Sequence, residues 1–388
     1  MYLTTDEELA KLVDQLQDCD TLAIDTEFVR EKTYFHRLGL IQVAGNGLAA
    51  AVDPIAIKDL TPLLDLFRQP DKIKVFHAGK QDLEIIYKLC GEVVQPLFDT
   101  QVAAAMVGWG AQISFAKAVY KVTGKTISKS ETYTDWCRRP LRDSQIEYAI
   151  NDVRYLMPVY EKLVKQLKSK GRLEWVQQEL LTLFDEKNFA LPDPQYQFLK
   201  VKSFRSLKPK NLAVLREIAG WRLEQAVQRD CLAKSILRDE PMLEIARMAP
   251  KDLKQLGDIR GVHSRELSQN GKQILSLVAK GLQVPESEYP VIPESNNYST
   301  GRGVEEFLAA YVQIRSQELK VEPHLLADRK QIHSFVKAHE LEDAFREHPL
   351  FQGWRKDLIG NDLHLLLAGQ QGLGINKGKV GLIPSSGK

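Results

Sequence analysis

Apolar residues in the first 190 positions fall into short runs of strand character. Runs at 21–28, 38–44 and 48–52 are separated by polar or turn-forming residues. The Gly45-Asn46-Gly47 step between the last two predicts a tight hairpin, because Asn and Gly accept the positive φ such turns need. Residues 60–68 have helical spacing. A further strand is predicted at 73–77, broken by Ala78-Gly79 before a helix at 80–90. Leu97-Phe98 predicts a short fifth strand, and 100–107 a helix. Asp143 opens a long helix, DSQIEYAINDVRYL, with a capping-type start. Strands joined by tight turns and then alternating with helices predict a mixed sheet covered by helices.

The pattern changes at Pro192-Asp193-Pro194, a boundary signal. The segment FLKVKSFRSLKPK (198–210) carries Lys200, Lys202, Arg205, Lys208 and Lys210 with no acid. Beyond it the chain reads as helix, at 211–228, 241–248, 250–256 and 271–281. VPESEYPVIPESNNYSTGRG (284–303) has the composition of a linker. A second helical block spans about 304–370. Trp221-Arg222 with Leu232, and Ile314-Arg315 with Leu325, stand in the same register, a faint echo of a duplicated helical domain. The expected division is a catalytic domain at 1–190, a basic linker at 191–207, helical domains at 208–285 and 304–372 joined by a linker at 286–303, and a flexible Gly-rich tail at 373–388.

Composition bounds the function. The 388 residues exceed one ordinary core. No apolar run reaches the roughly 18 residues that cross a bilayer, so no membrane partner is expected. The start, MYLTTDEELAK, is acidic and lacks the apolar stretch of a secretory signal. Cys19, Cys90, Cys137 and Cys231 lie far apart with no CxxC pair, which predicts free thiols rather than a zinc site or disulfide framework. A cytoplasmic protein, monomeric, is the expectation. The net charge of +2 hides an asymmetry: residues 1–190 hold 24 Lys and Arg against 27 Asp and Glu, and the remainder 29 against 24. An acidic half suited to holding cations precedes a basic half suited to polyanions.

Three clusters carry candidate chemistry. Asp25 and Glu27 sit two apart in LAIDTEF, so both point to one face of a strand. Two carboxylates beside an apolar body repel each other unless a cation joins them, and hard divalent ions prefer carboxylate oxygens. Asp82, in VFHAGKQDLEIIY, falls on the first turn of a helix, where the helix dipole also favours an acid. His77 in the same stretch reads as a packed strand-end residue. Tyr148 and Asp152, four apart in EYAINDVRYL, share one helix face, and an Asp inside an apolar-periodic helix needs a reason.

Together these stretches resemble one family. DTEF at 25–28, HAGxxDLE at 77–84 and YAxxDVxYL at 148–156 are similar to the three motifs of the DEDD exonucleases, in the branch with Tyr before the last Asp. DTEFVRxxTYxxxLGLIQ (25–42) and KSETYTDWCRRPL (129–141) resemble the ribonuclease D family within that branch. Residues 208–285 resemble the HRDC domain, and the second helical block resembles the additional HRDC-like domain of that family more faintly.

The resemblance implies a ribonuclease H-like α/β exonuclease domain followed by two small all-α HRDC-like domains. It implies that Asp25, Glu27, Asp82 and Asp152 hold two divalent cations, Mg²⁺ or Mn²⁺, for phosphodiester hydrolysis. Tyr148 matches the residue that orients the attacking water. A phenol of free pKa roughly 10 is a poor base at neutral pH, so positioning is its role. The implied activity is 3′-to-5′ exoribonuclease, releasing 5′-mononucleotides, with precursor tRNA 3′ ends and other structured RNA as substrates. The helical blocks would grip RNA through Lys and Arg, with Gly257–Val262 as a helix-hairpin whose amides meet phosphate. Two other functions fit the motifs alone: a DNA 3′-to-5′ exonuclease, and a catalytically inert nucleic-acid-binding protein. The intact acids and Tyr148 argue against the second. The lack of room for a polymerase or helicase domain argues against the first.

Overall fold

The computed structural model describes residues 1–127, 131, 134–292 and 302–385. Ser128 and parts of KSETYTDWCRRPL (129, 130, 132 and 133), of the expected linker (293–301) and of the tail (386–388) lie outside them.

Six strands form one sheet: β1 (Tyr2–Leu3), β2 (Thr21–Val29), β3 (Arg37–Gly45), β4 (Leu48–Val52), β5 (Ile73–Phe76) and β6 (Leu97–Asp99), in the order β1-β4-β3-β2-β5-β6. β3 and β4 are the expected hairpin. Gly45 pairs Leu48, and Asn46 and Gly47 turn the chain at φ 48° and 79°, as a two-residue primed turn requires. β5 lies parallel to β2 and to β6. The sheet is therefore mixed, as the alternation of patterns predicts.

Helices cover it. In chain order they are α1 (Asp6–Leu16), α2 (Thr61–Arg68), α3 (Lys80–Cys90), α4 (Thr100–Met106), α5 (Phe115–Thr123), α6 (Asp143–Ser169) and α7 (Leu173–Leu183). Strand β1 and helix α1 escape the pattern reading, the first because two residues show no period. Yet α1 opens with a Thr5/Glu8 capping box and buries Leu9, Leu12, Val13 and Leu16, a regular helical stripe. Helix α6 carries the third motif. Its Gln145 side chain accepts from Arg142 N at 3.0 Å.

The chain divides into two compact units. One comprises residues 1–27, 38–189 and 297–388, the other 28–37 and 190–296. In the second unit α8 (Pro209–Gln228), α9 (Ala233–Ile236), α10 (Asp239–Met248), α11 (Leu253–Gly257) and α12 (Ser264–Leu282) enclose a core of their own. The segment 191–207 is not a linker. It folds into short 3₁₀ turns, Pro194–Lys200 and Phe204–Ser206, and buries Phe198, Val201 and Leu207 in that core. The basic residues between those apolar ones stay outside, which is why the run reads as hydrophilic.

The second helical block repeats the succession of the first: α13 (Arg302–Leu319), the four-residue α14 (Pro323–Leu326) and α15 (Arg329–Glu340). It shares the core of the sheet-bearing unit, to which it gives Leu308, Tyr311, Phe335 and Leu363. Arg172 at the start of α7 donates to Met106 O and Leu319 O. Trp175 stacks on Trp354 at 5.3 Å, and Arg355 reaches Glu179 at 2.6 Å. The tail expected to be flexible is instead a hairpin of β7 (Gln371–Asn376) and β8 (Lys379–Pro384). Leu373 and Leu382 pack it onto the core. Among the described residues no helix is long and apolar enough to cross a membrane.

Candidate active site

β2 delivers the first two acids. Leu22, Ala23 and Ile24 are fully buried, and the strand then carries Asp25 and Glu27 half-buried on one face. Helix α6 brings Asp152 to them. One carboxylate oxygen from each of Asp25, Glu27 and Asp152 lies within 4.8 Å of the others. Residues 127 positions apart in sequence thus form one acidic cluster.

Asp82 stands beside that cluster, on the first turn of α3, and is the most buried of the four at 8% exposure. Thr26 fixes it: the Thr26 backbone N donates to Asp82 Oδ1 at 3.1 Å, and the Thr26 hydroxyl donates to the same oxygen. The residue between the two strand acids therefore orients the acid of the second motif. No periodicity marks Thr26 in the sequence, and only the fold gives it that partner.

The approach to Asp82 depends on a second group the sequence reading missed. Asp99, 2% exposed at the end of β6, accepts from Ala78 N at 3.2 Å, Gly79 N at 2.9 Å and Gln101 N at 2.7 Å. Its role as N-cap of α4 follows from its type and place. Its grip on the turn before α3 does not, because that turn is 20 residues away. Ala78 has φ 57°, a conformation that costs a non-glycine residue about 1–2 kcal/mol, and the Asp99 carboxylate holds it there. His77 is a packed residue, as expected: Nδ1 lies 2.8 Å from Thr100 Oγ1 and Nε2 lies 3.0 Å from Ile113 O.

Without a cation, burial first and neighbouring carboxylates second raise the pKa of all four acids. Burial, then the charges of Asp82, Asp152 and Glu27, hold the Asp25 carboxyl well above the usual carboxylate range. Burial, with Asp152 and Asp82, pushes Glu27 up to about 9. Burial, with the Asp82 charge, raises Asp152 to about 7 against a hydrogen bond from Tyr148 that lowers it. Asp82 rises to about 6, mainly by burial, against the two Thr26 bonds. Shared carboxylates with raised pKa values are what a cation relieves, so the donor set fits a divalent metal. Next to Tyr148 and Asp152 a cleft of about 390 Å³ opens, lined also by Asn151, Tyr155 and Thr126. That size lies within the range of small-ligand sites.

The five basic residues of the 198–210 run belong to the other unit. Lys200, Lys202, Arg205, Lys208 and Lys210 are all exposed. Gly257–Val262 joins α11 to α12, with Gly261 at φ 89°.

Comparison with known proteins gives the site its context. A 3′-5′ exonuclease family model matches residues 1–168. An HRDC domain model matches 211–278, and a model of the ribonuclease D C-terminal HRDC domain matches 305–363. The chain is 36% identical over 392 residues to ribonuclease D of Gluconacetobacter diazotrophicus, covering 99% of this chain and 97% of that protein. The chain belongs to the ribonuclease D family. Ribonuclease D of Escherichia coli is 35% identical, over 94% of this chain and 97% of its own length. The crystal structure of E. coli RNase D, described as an exoribonuclease involved in structured RNA processing, matches with a TM-score of 0.85 at 34% identity. That match covers 95% of this chain and 98% of the other. As a ribonuclease D the chain is a divalent-metal-dependent 3′-to-5′ exoribonuclease acting on RNA. The two HRDC models also agree with the duplicated order of helices in the two C-terminal blocks.

Proposed function

We propose that Asp25, Glu27, Asp82 and Asp152 hold two divalent cations, Mg²⁺ or Mn²⁺, and that Tyr148 positions the attacking water. The substrates are the 3′ ends of precursor tRNA and other structured RNA, and the products 5′-mononucleotides. The observation that carries this reading is the meeting of three carboxylates from β2 and α6 within 4.8 Å, with the Tyr148 hydroxyl donating to one of them. Bound cations would supply charge stabilisation at the attacking and leaving oxygens of the phosphodiester. The protein's own part is placement. β2 presents Asp25 and Glu27 to one face, Thr26 sets the direction of Asp82, and α6 holds Asp152 one helical turn from Tyr148. The phenol hydroxyl, hydrogen-bonded to Asp152, would orient a water for attack on the scissile phosphate.

Lys200, Lys202, Arg205, Lys208 and Lys210 grip the RNA backbone in this reading. Their support is exposure together with a run free of acids. The free cysteines fit a reducing compartment, the cytoplasm, and the enzyme acts as a monomer. The decisive experiment incubates the protein with 3′-labelled RNA and matched DNA in Mg²⁺, Mn²⁺ or EDTA and identifies the first product. Release of 5′-mononucleotides from RNA, abolished by EDTA, is expected. Replacing the last two riboses by deoxyribose should slow release, since only the 2′-hydroxyl distinguishes the two polymers locally. Undiminished turnover in EDTA would overturn the metal assignment, and equal rates on both polymers would overturn selection at the 2′-hydroxyl.

A further inference from the structure

The segment leading into α6 is fastened to the sheet by one ion pair, and it carries a tryptophan that stands against Tyr148. Arg139 places Nε 2.6 Å from Asp53 Oδ2 and Nη2 2.7 Å from Asp53 Oδ1. The same guanidinium reaches three backbone carbonyls: Gly39 O at 2.7 Å from Nη2, and Trp136 O and Arg138 O at 2.7 and 3.0 Å from Nη1. Asp53 is 1% exposed and also accepts from the Tyr2 hydroxyl and from Ile55 N. A buried pair is held firmly when both partners are satisfied by further hydrogen bonds, as here. One side chain thereby ties the end of β4, strand β3 and the segment before α6 together.

Trp136 is what this clamp holds. Its backbone lies so close to β3 that a Cβ on Gly39 would fall 2.5 Å from Trp136 O, so glycine is needed there. Its side chain is 2% exposed. The Trp136 ring stands 6.2 Å from the Tyr148 ring, with their planes 35° apart. The Trp136 ring thus stands beside the phenol on a segment that the Arg139–Asp53 pair ties to the sheet. A group that orients a reacting water must be held to a fraction of an ångström. The backbone of α6 fixes only where the Tyr148 side chain starts.

We infer that Trp136 is a positioning residue for Tyr148, and that the Arg139–Asp53 pair acts on turnover by holding Trp136 in place. The inference rests on the reading of Tyr148 given above. It differs from a purely structural role in one respect: disturbing the clamp should matter only while Tyr148 has its hydroxyl.

A double-mutant cycle tests this. Arg139→Lys keeps the cation but loses the planar fork that reaches Asp53 and three carbonyls. Trp136→Phe keeps a buried ring of smaller size, and carries the test if the lysine variant fails to fold. Each is measured alone and with Tyr148→Phe, for kcat, for KM and for the rise in Tm on adding Mn²⁺. Each single variant should lower kcat roughly ten- to hundredfold, with KM little changed and the Mn²⁺ response retained. In the Tyr148→Phe background the same change should cost less than about twofold, since the effects are coupled. Equal cost in both backgrounds, or loss of the Mn²⁺ response, would overturn the inference and make the clamp merely structural. A Tyr148→Phe enzyme as fast as the parent would instead overturn the role of Tyr148, and the inference with it.

Discussion

Asp25, Glu27, Asp82 and Asp152 stand buried or half-buried in one cluster, while Lys200, Lys202, Arg205, Lys208 and Lys210 stand exposed along the short turns and the start of α8 in the other unit. Both groups are like charges drawn close by the chain. In the first, burial removes water's screening, the carboxyl pKa values climb, and the site is in tension until a cation arrives. In the second, water and salt screen the repulsion. The difference teaches where specificity resides. A desolvated cluster makes each member indispensable, whereas a solvated run spreads a modest effect over many.

The largest effect should come from the buried group. Asp25→Asn keeps size and removes charge, and should abolish hydrolysis in a protein that remains folded. It should also remove the rise in Tm on adding Mg²⁺. Parental turnover by the folded variant would refute the assignment of Asp25 as a metal ligand. Tyr148→Phe removes only a hydroxyl beside the cluster, so calorimetry should still detect metal binding while kcat falls roughly 10²–10³-fold, the scale of one lost positioning donor. Loss of metal binding as well would make the phenol part of the metal site.

The exposed group predicts a smaller, salt-dependent change. Replacing all five cations with Ala should raise KM more than it lowers kcat, because such contacts hold substrate and transition state alike. If three of them touch phosphate, the slope of log K against log salt should flatten by about 2, at roughly 0.7 per contact on a single strand. An unchanged slope in a salt titration of RNA binding would assign the run to stability instead. Truncation near residue 195 does not make this comparison cleanly. It also removes Leu308, Tyr311 and Trp354 from the core that covers the sheet-bearing unit, and should unfold what remains.

The smallest predicted effect is on stability. The acids' folded-state pKa values lie above their unfolded ones, so the native state binds more protons between about pH 4 and about pH 9. Stability from this source is full below the unfolded values and is lost as pH rises through the folded ones. The metal-free enzyme should therefore lose Tm between pH 6 and 9, and Mg²⁺ should restore it. A flat profile in EDTA would mean that the four carboxyls do not interact.

Much of the site is legible because its residues sit in strong local patterns. D-x-E in an apolar strand and Y-x-x-x-D on a helix each fix a face through backbone period alone. The β3–β4 turn is legible for the same reason, since Asn46-Gly47 names its own φ values. The misread segments share another cause. In 191–207 the cations mask Phe198, Val201 and Leu207. In the last residues, glycine and lysine mask an alternation of Leu373 and Ile375 with Val380 and Leu382 around the turn at Lys377-Gly378. Composition reads the first as a linker and the second as flexible, yet the first buries three apolar side chains and the second half-buries Leu373 and Leu382 against the core, and those decide.

The sequence by itself pointed to the motif acids and the tyrosine, through local period together with the resemblance to the exonuclease motifs, and to the mixed α/β sheet and the two helical blocks through local period and residue type. Only the tertiary structure decided that Thr26 orients Asp82, that Asp99 holds the turn at Ala78, and that Arg139 clamps Trp136 against Tyr148. It also decided that the second helical block shares the core of the sheet while the first keeps its own. Most of these rest on groups far apart in the chain, Thr26 with Asp82, Asp99 with Gly79, Arg139 with Asp53 and Trp175 with Trp354, where no backbone period reaches and only the closing of a common core sets the distance.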